Sequence, residues 1–193
     1  MADILYRVLR DPLRGCYREP LVVCLFTRKE EWFDIMTIHI RTFKPTDSAF
    51  ILSLVSRFSE FEIPDWRSDQ EIDNANRTLL QKAMKHPEPD SAIFIAEDET
   101  GIPAGFIHLQ TQTDYFNGEK HAYISDLAVD QSFEGKGIGS LLLDKAEEWV
   151  LQKDYGFLTL YVFAGNKHAR HLYEKRGFDQ EVIKYVKVIK PGS

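Results

Sequence analysis

Apolar positions follow two periods along the chain, and the switches between them mark the elements. The run Thr37-Ile-His-Ile-Arg-Thr-Phe43 alternates with period two, as a half-buried strand does. Pro45-Thr46-Asp47 then starts a helix, with Phe50, Leu54 and Phe58 at i, i+4 and i+8 and Ile51 and Val55 beside them on one face. Ser59 to Arg67 has no period and reads as a loop. Ser68 and Glu71 form a capping box, in which each side chain satisfies the other residue's free backbone N–H, and a helix through Ile72, Ala75, Leu79 and Ala83 follows. His86-Pro87 ends it. The period then returns to two for Ala92–Ala96, a turn at Asp98–Gly101, and Ala104–Leu109, which read as an antiparallel hairpin. Asn117-Gly118 supplies a second tight turn before a fourth strand at Ala122–Val129. Beyond a glycine-rich stretch, Ile138, Leu141, Leu142, Ala146, Trp149 and Val150 share one helical stripe. Phe157–Val162 reads as a buried strand, Asn166–Arg176 as a short helix, and Val182–Ile189 as a closing strand.

The order β-α-α-β-β-β-α-β-α-β defines an α+β domain over residues 36–193, with a central, mostly antiparallel mixed sheet and one parallel crossover. Residues 1–35 break the pattern, with six basic and six acidic side chains scattered without period. Three readings fit that segment: an integral strand and helix, a flexible extension, or translation from an upstream start with Met36 as the working one. The last two are preferred, so the segment is expected to be dispensable.

Composition narrows the function classes. The 24 Lys and Arg against 30 Asp and Glu give a net charge of -6, the wrong sign for a nucleic-acid binder, which gains affinity by neutralising phosphates. Cys16 and Cys24 form no CxxC pair, so neither a zinc site nor a redox dithiol is expected, and a reducing, cytoplasmic setting fits. The apolar run Leu21–Phe26 is far short of the ~18 residues that span a bilayer, and no small-residue cleavage site follows it. No membrane partner is expected.

The glycine-rich stretch Gln131-Ser-Phe-Glu-Gly-Lys-Gly-Ile-Gly139 lies between a strand and a helix, where backbone N–H groups and the helix dipole favour an anion. A phosphate or pyrophosphate suits it. The nucleotide loops fail on spacing: a Walker loop would need Gly at Asp130 and Ser or Thr at Gly137. A dinucleotide fingerprint would need a different interval from that of Gly135, Gly137 and Gly139, and a βαβ unit instead of a meander. A helix-entry turn without ligand remains open on this segment alone.

Two motifs together resemble the GNAT superfamily of acetyl-CoA-dependent N-acetyltransferases. The family's coenzyme loop is [RQ]-x-x-G-x-[GA]; here Glu134-Gly-Lys-Gly-Ile-Gly139 keeps the glycine placement but carries Glu at the first position. The second signature, Asn followed by a helix ending at Tyr and Gly-Phe, stands as Asn166-Lys-His-Ala-Arg-His-Leu-Tyr-Glu-Lys-Arg-Gly-Phe178. The resemblance covers about residues 36–189, including the element order. It implies a three-layer GNAT-like sheet splayed between the fourth and fifth strands, and acetyl-CoA as co-substrate with an amine acceptor, small molecule or protein, and no metal. Leu127 and Val129 would pair with the pantetheine arm through their backbones, like an added strand. Gly135, Lys136, Gly137, Ile138, Gly139 and Ser140 would hold the pyrophosphate, Lys136 adding charge. Asn166 would bond the pantetheine amides, and Tyr173 would lie near the sulfur. Read without the family, Asn166 is equally a helix N-cap, and Tyr173 a packing residue on the stripe with Ala169 and Leu172.

Acetyl transfer requires a neutral amine, a polarised thioester carbonyl and a proton for the departing thiolate. Tyr173, with an ordinary pKa of ~10, suits the last task. The base stays open. Family members often carry Glu or Asp on the fourth strand facing the acceptor; aligned on Leu127 and Val129, those positions are Tyr123 and Ser125, neither a good base. Asp126 has the opposite parity, so an undistorted strand aims it away and a bulge would re-aim it. Glu97 and an ordered water are further candidates. The loop Glu60-Phe-Glu-Ile-Pro-Asp-Trp66 reads equally as an acceptor site for a cationic amine and as a solvated loop anchored by aromatics. His108, His121, His168 and His171 show no ligand spacing to acids or cysteines apart from the i, i+3 pair His168 and His171 on the last helix, which reads better as exposed helix residues. A homodimer stays open. A non-enzymatic acyl-CoA sensor is the alternative function, supported by Glu134 and the lack of an evident base, and a nucleotide switch is a weaker third.

Overall fold

The computed structural model describes residues 5–7, 24–26 and 37–189. Strands β1 (Leu5–Arg7) and β2 (Cys24–Phe26) pair antiparallel as a separate two-stranded sheet. The rest of the expectation for residues 1–35 lies outside the described residues. The main sheet has five strands in the order β3 (Ile38–Thr42), β4 (Ala92–Asp98), β5 (Pro103–Thr113), β6 (Lys120–Val129) and β7 (Leu158–Leu160). The short turns at Gly101 and Gly118, both with positive φ, join antiparallel neighbours. The β6–β7 pair is parallel and is bridged by the helix α3 (Ile138–Gln152).

Helices cover both faces. On one, Leu141, Leu142, Leu143, Ala146 and Trp149 of α3 pack on Ile107, Leu109, Ala122 and Ile124, joined by Leu172 and Tyr173 of α4 (Lys167–Lys175). On the other, Ile51 of α1 (Ser48–Ser53) with Leu54 and Val55, and Leu80 of α2 (Asp69–Lys85), pack on Ile95, Phe106 and Ala128. The capping box at Ser68 and Glu71 forms as its sequence predicts, with Glu71 N–H donating to Ser68 Oγ at 3.2 Å and Ser68 N–H to Glu71 Oε2 at 2.9 Å.

Three departures from the sequence reading bear on the site. The first helix does not run unbroken to Phe58: it stops at Ser53, and a 3₁₀ turn, Val55–Phe58, follows. Leu54 N–H bonds to the Ile51 carbonyl and Arg57 N–H to the Leu54 carbonyl, contacts one residue tighter than α-helical ones. Phe58 consequently sits edge-on over Phe106 at 6.4 Å, and Arg57 turns toward the end of β6. The fifth strand is shorter than Phe157–Val162, because the chain after Leu160 leaves the sheet to pack under the loop that follows the 3₁₀ turn. Phe163 lies 5.4 Å from Phe61 there. Val182–Ile189 forms no strand; it is irregular and exposed, and β7 leaves only three residues of edge on which it could pair.

Candidate active site

The sheet opens where the two motifs meet. β7 pairs with β6 only from Ala122 to Ile124, so the edge of β6 from Ser125 to Val129 that faces away from β5 has no strand partner among the described residues. A peptide-like chain can complete a ladder on such an edge. Leu127 and Val129, the residues expected to hold the pantetheine arm, lie on this stretch, with side chains packed on the α3 side.

The edge runs into the glycine-rich turn. Gly137 is the residue before the first turn of α3, with φ 76 and ψ 5, and Gly135 has φ 72, conformations that a side chain would strain. They turn the chain so that N–H groups at the start of α3, which have no partner inside the helix, end at the mouth of the turn. Ile138 is buried at 1% exposure, so only its backbone faces this mouth. Ser140 N–H turns back to the Gly137 carbonyl at 3.0 Å. Lys136 lies over the Phe133 ring at 4.8 Å, which holds its charge beside the turn. A Cβ at Gly139 would meet Leu172 at 3.2 Å, so that glycine lets α4 approach α3 closely. Asn166 caps α4, its Oδ1 accepting from Ala169 N–H at 3.0 Å, which leaves its amide nitrogen free to donate elsewhere.

The departure at Glu134 takes a form that the sequence does not show. Its carboxylate is ion-paired with Arg57, which also pairs with Glu60.

A bulge re-aims Asp126. His108 of β5 stands opposite Asp126, but the next residue, Leu109, stands opposite Ile124, so Ser125 is an extra residue on β6. The burial pattern follows: Ala122 and Ile124 before the bulge, and Leu127 after it, all face α3, while Ala128 faces the helices α1 and α2. Asp126 therefore shares a face with Tyr123. Burial, with Asp126's negative charge adding to it, raises the Tyr123 phenol above its ordinary range. Asp126 is buried and lies 3.0 Å from Nδ1 of the equally buried His108. A buried carboxylate needs a donor, and the Nδ1–H tautomer of His108 supplies a hydrogen bond to Asp126. This pairing is the feature that sequence spacing misses, because it joins two strands across a register shift.

Tyr173 lies against Phe178 at 5.6 Å, and burial pushes its phenol up to about 12. Glu97 is placed elsewhere. It sits at the far end of β4, two strands from β6, where Arg41 Nε donates to it at 2.6 Å while holding Asp47 with its two Nη atoms at 2.7 and 2.9 Å. That network ties β3, β4 and the start of α1 together and is not joined to Asp126.

The loop from Ser59 to Arg67 packs on the chain beyond β7. Besides Phe61 on Phe163, the Glu62 carbonyl sits so close to Gly165 that a Cβ there would lie 1.9 Å from it. Next to this contact Arg67, Glu71, Ile72, Asn76 and Phe163 line a cleft of about 190 Å³. Among the described residues no group of His, Cys, Asp and Glu is placed to hold a metal ion, and no helix is long and apolar enough to cross a membrane.

Comparisons with known proteins agree with this fold. Residues 53–178 match the model of the acetyltransferase (GNAT) family. The N-acetyltransferase YhfO of Bacillus subtilis (strain 168), itself uncharacterized, is 30% identical over 144 residues, 75% of this chain and 91% of its own. Among solved structures, AAC(6')-Iy in complex with the bisubstrate analog CoA-S-monomethyl-acetylneamine matches 79% of this chain and 99% of its own, with TM-score 0.57 at 20% identity. Glucosamine-6-phosphate N-acetyltransferase from Arabidopsis thaliana matches 80% and 99%, with TM-score 0.55 at 22% identity. The structural likenesses establish a shared fold, and the family match extends over more than half of the sequence: the chain belongs to the GNAT family of acetyltransferases.

Proposed function

We propose that the protein transfers the acetyl group of acetyl-CoA to a primary amine of a small molecule or protein, by direct attack of the amine on the thioester. The observation that carries this reading is the continuity of the β6 edge that has no strand partner among the described residues, starting at the bulge at Ser125, with the positive-φ glycines at the head of α3. The edge of Leu127 and Val129 suits the pantetheine amides, the turn from Gly135 to Ser140 the pyrophosphate, and Asn166 an amide of the same arm. The fold neighbour bound to a bisubstrate analog containing CoA is consistent with it.

Asp126 is the base in this reading and His108 its positioning residue. The amine attacks in its neutral form, and Asp126, whose Oδ2 is held by His108 while Oδ1 is left for the acceptor, takes the proton that the nitrogen sheds as it bonds to carbon. The C–S bond breaks, and the electron pair leaves with sulfur. Tyr173 donates a hydrogen bond to that sulfur. Full transfer of its proton would run uphill, since its phenol sits near 12 and a thiol near ~8.5, a gap on the order of 5 kcal/mol. The thiolate takes its proton from water. Tyr123, kept protonated, lines the approach to Asp126. The loop Glu60–Trp66 and the cleft beside Phe163 form the acceptor side.

Glu134, which favoured a non-enzymatic sensor, loses that weight once Arg57 neutralises it. The test is release of free thiol from acetyl-CoA on a panel of primary amines, together with the acetylated product. Saturable acetyl-CoA binding without turnover on any amine would turn the reading to the sensor.

A further inference from the structure

Arg57 belongs to the 3₁₀ turn on the acceptor side of the sheet, yet its guanidinium reaches the donor turn. Nη2 donates to Oε1 of Glu134 and Nη1 to Oε2 of Glu60. Asp130 is near as well: hydrogen bonds from Ser132 hold its carboxyl below the usual range, and the Arg57 charge adds to them. One cation thus serves three carboxylates at the mouth of the glycine-rich turn. Its Nε is buried with no hydrogen-bond partner among the described residues, and its side chain is only 21% exposed, against 48% for Glu134. Surface ion pairs contribute little, and a buried donor without an acceptor is unfavourable, so the arrangement is poorly explained as a stabilising device. It is well explained as a guanidinium held in readiness for an anion. A phosphate presents oxygens matched to the guanidinium fork, and the N–H groups of the turn face the same mouth.

We infer that Arg57 is a ligand of the coenzyme's pyrophosphate, held over the turn by Glu134 and Glu60 and exchanging the Glu134 carboxylate for a phosphate oxygen when the coenzyme binds. This rests on the coenzyme reading above. Arg57 also neutralises the carboxylate that Glu134 brings to the turn, but neutralisation alone is a different claim, and the variants separate the two.

Calorimetric titration of the full chain with CoA and with dephospho-CoA, which keeps the pyrophosphate and lacks the 3′-phosphate, is the test. Arg57→Gln should weaken both ligands by the same factor, about tenfold or more, as loss of a charge-assisted contact does. Glu134→Gln should bind at least as tightly as the wild type, and the double variant should remain about fivefold weaker than Glu134→Gln. A folded Arg57→Gln with unchanged affinities overturns the inference. So does a loss confined to CoA, which puts Arg57 at the 3′-phosphate, or a double variant equal to Glu134→Gln, which leaves only neutralisation. Should Arg57→Gln fail to fold, Arg57→Lys decides: it keeps the charge but not the fork, and a fall of about threefold supports the contact while none overturns it. Wild-type protein that binds neither ligand removes the coenzyme reading itself; wild-type binding with an indifferent Arg57 removes this inference alone.

Discussion

The proposed donor and acceptor halves of the site are built from different materials. On the donor side, the β6 edge and the turn into α3 present backbone: edge groups without a strand partner among the described residues, N–H groups at a helix start, and glycines at φ 72 and 76. On the acceptor side, the 3₁₀ turn and the loop before α2 present side chains, held by Phe61 on Phe163 and by Arg57 on Glu60 and Glu134. A backbone-built site depends on chain geometry and tolerates most side-chain exchange, so its signature is a pattern of glycines. A side-chain-built site changes its specificity with each residue, so it carries no general signature. Asp126 and His108 lie at the seam, where a bulge in the donor strand aims a side chain at the acceptor face.

The contrast can be broken by substitution. Asp126→Asn should lower kcat by about 10²–10⁴, the usual worth of a positioned base, with CoA affinity unchanged; a joint loss of both would mean that Asp126 only supports the strand. Gly165→Ala should force the Glu62 carbonyl away and displace the acceptor loop. Because small misplacements can cost up to about 10²-fold, a rise of at least about tenfold in acceptor KM is expected, with coenzyme affinity within about twofold. Equal effects on both ligands would show the halves to be one unit. Tyr173→Phe should reduce kcat about ten- to hundredfold, as loss of a hydrogen bond to a charged sulfur predicts, and wild-type kcat under chemistry-limited conditions would leave it a packing residue. Gly137→Ala should weaken CoA about tenfold by straining the turn, with acceptor KM unmoved.

A control lies outside both halves. Burial opposes ionisation of Asp47, yet hydrogen bonds from Arg41 and the Lys44 N–H outweigh it and hold the carboxyl below its ordinary 3.8. A depressed folded-state value makes the stabilisation complete above about pH 4 and lost as pH falls below it. Asp47→Asn should therefore cost about 2–4 kcal/mol at neutral pH and progressively less in acid, read from denaturant midpoints across pH, without selective effect on either substrate. A pH-independent difference would remove the ion pair from the account.

The same contrast explains what the sequence reveals. Period-two runs place β3 to β6, and the Ser68–Glu71 box places α2, because each pattern is local. The glycine turn is legible since positive φ demands glycine there. The break after Ser53 is hidden, because the Phe50, Leu54, Phe58 spacing suits an unbroken helix and only packing on Phe106 decides. Val182–Ile189 has strand-like alternation, but a strand needs an edge, and β7 offers a short one. The His108–Asp126 pair and the Arg57–Glu134 pair join residues far apart in the chain, and neither partner carries a local mark of the other.

The most direct measurement is a thiol-release assay with acetyl-CoA, run with a panel of primary amines and without them. The account predicts release that depends on an amine, saturates in both substrates, yields the acetylated amine and is lost in Asp126→Asn. Acetyl-CoA binding of ordinary affinity with no amine-dependent release on any member of the panel would contradict it.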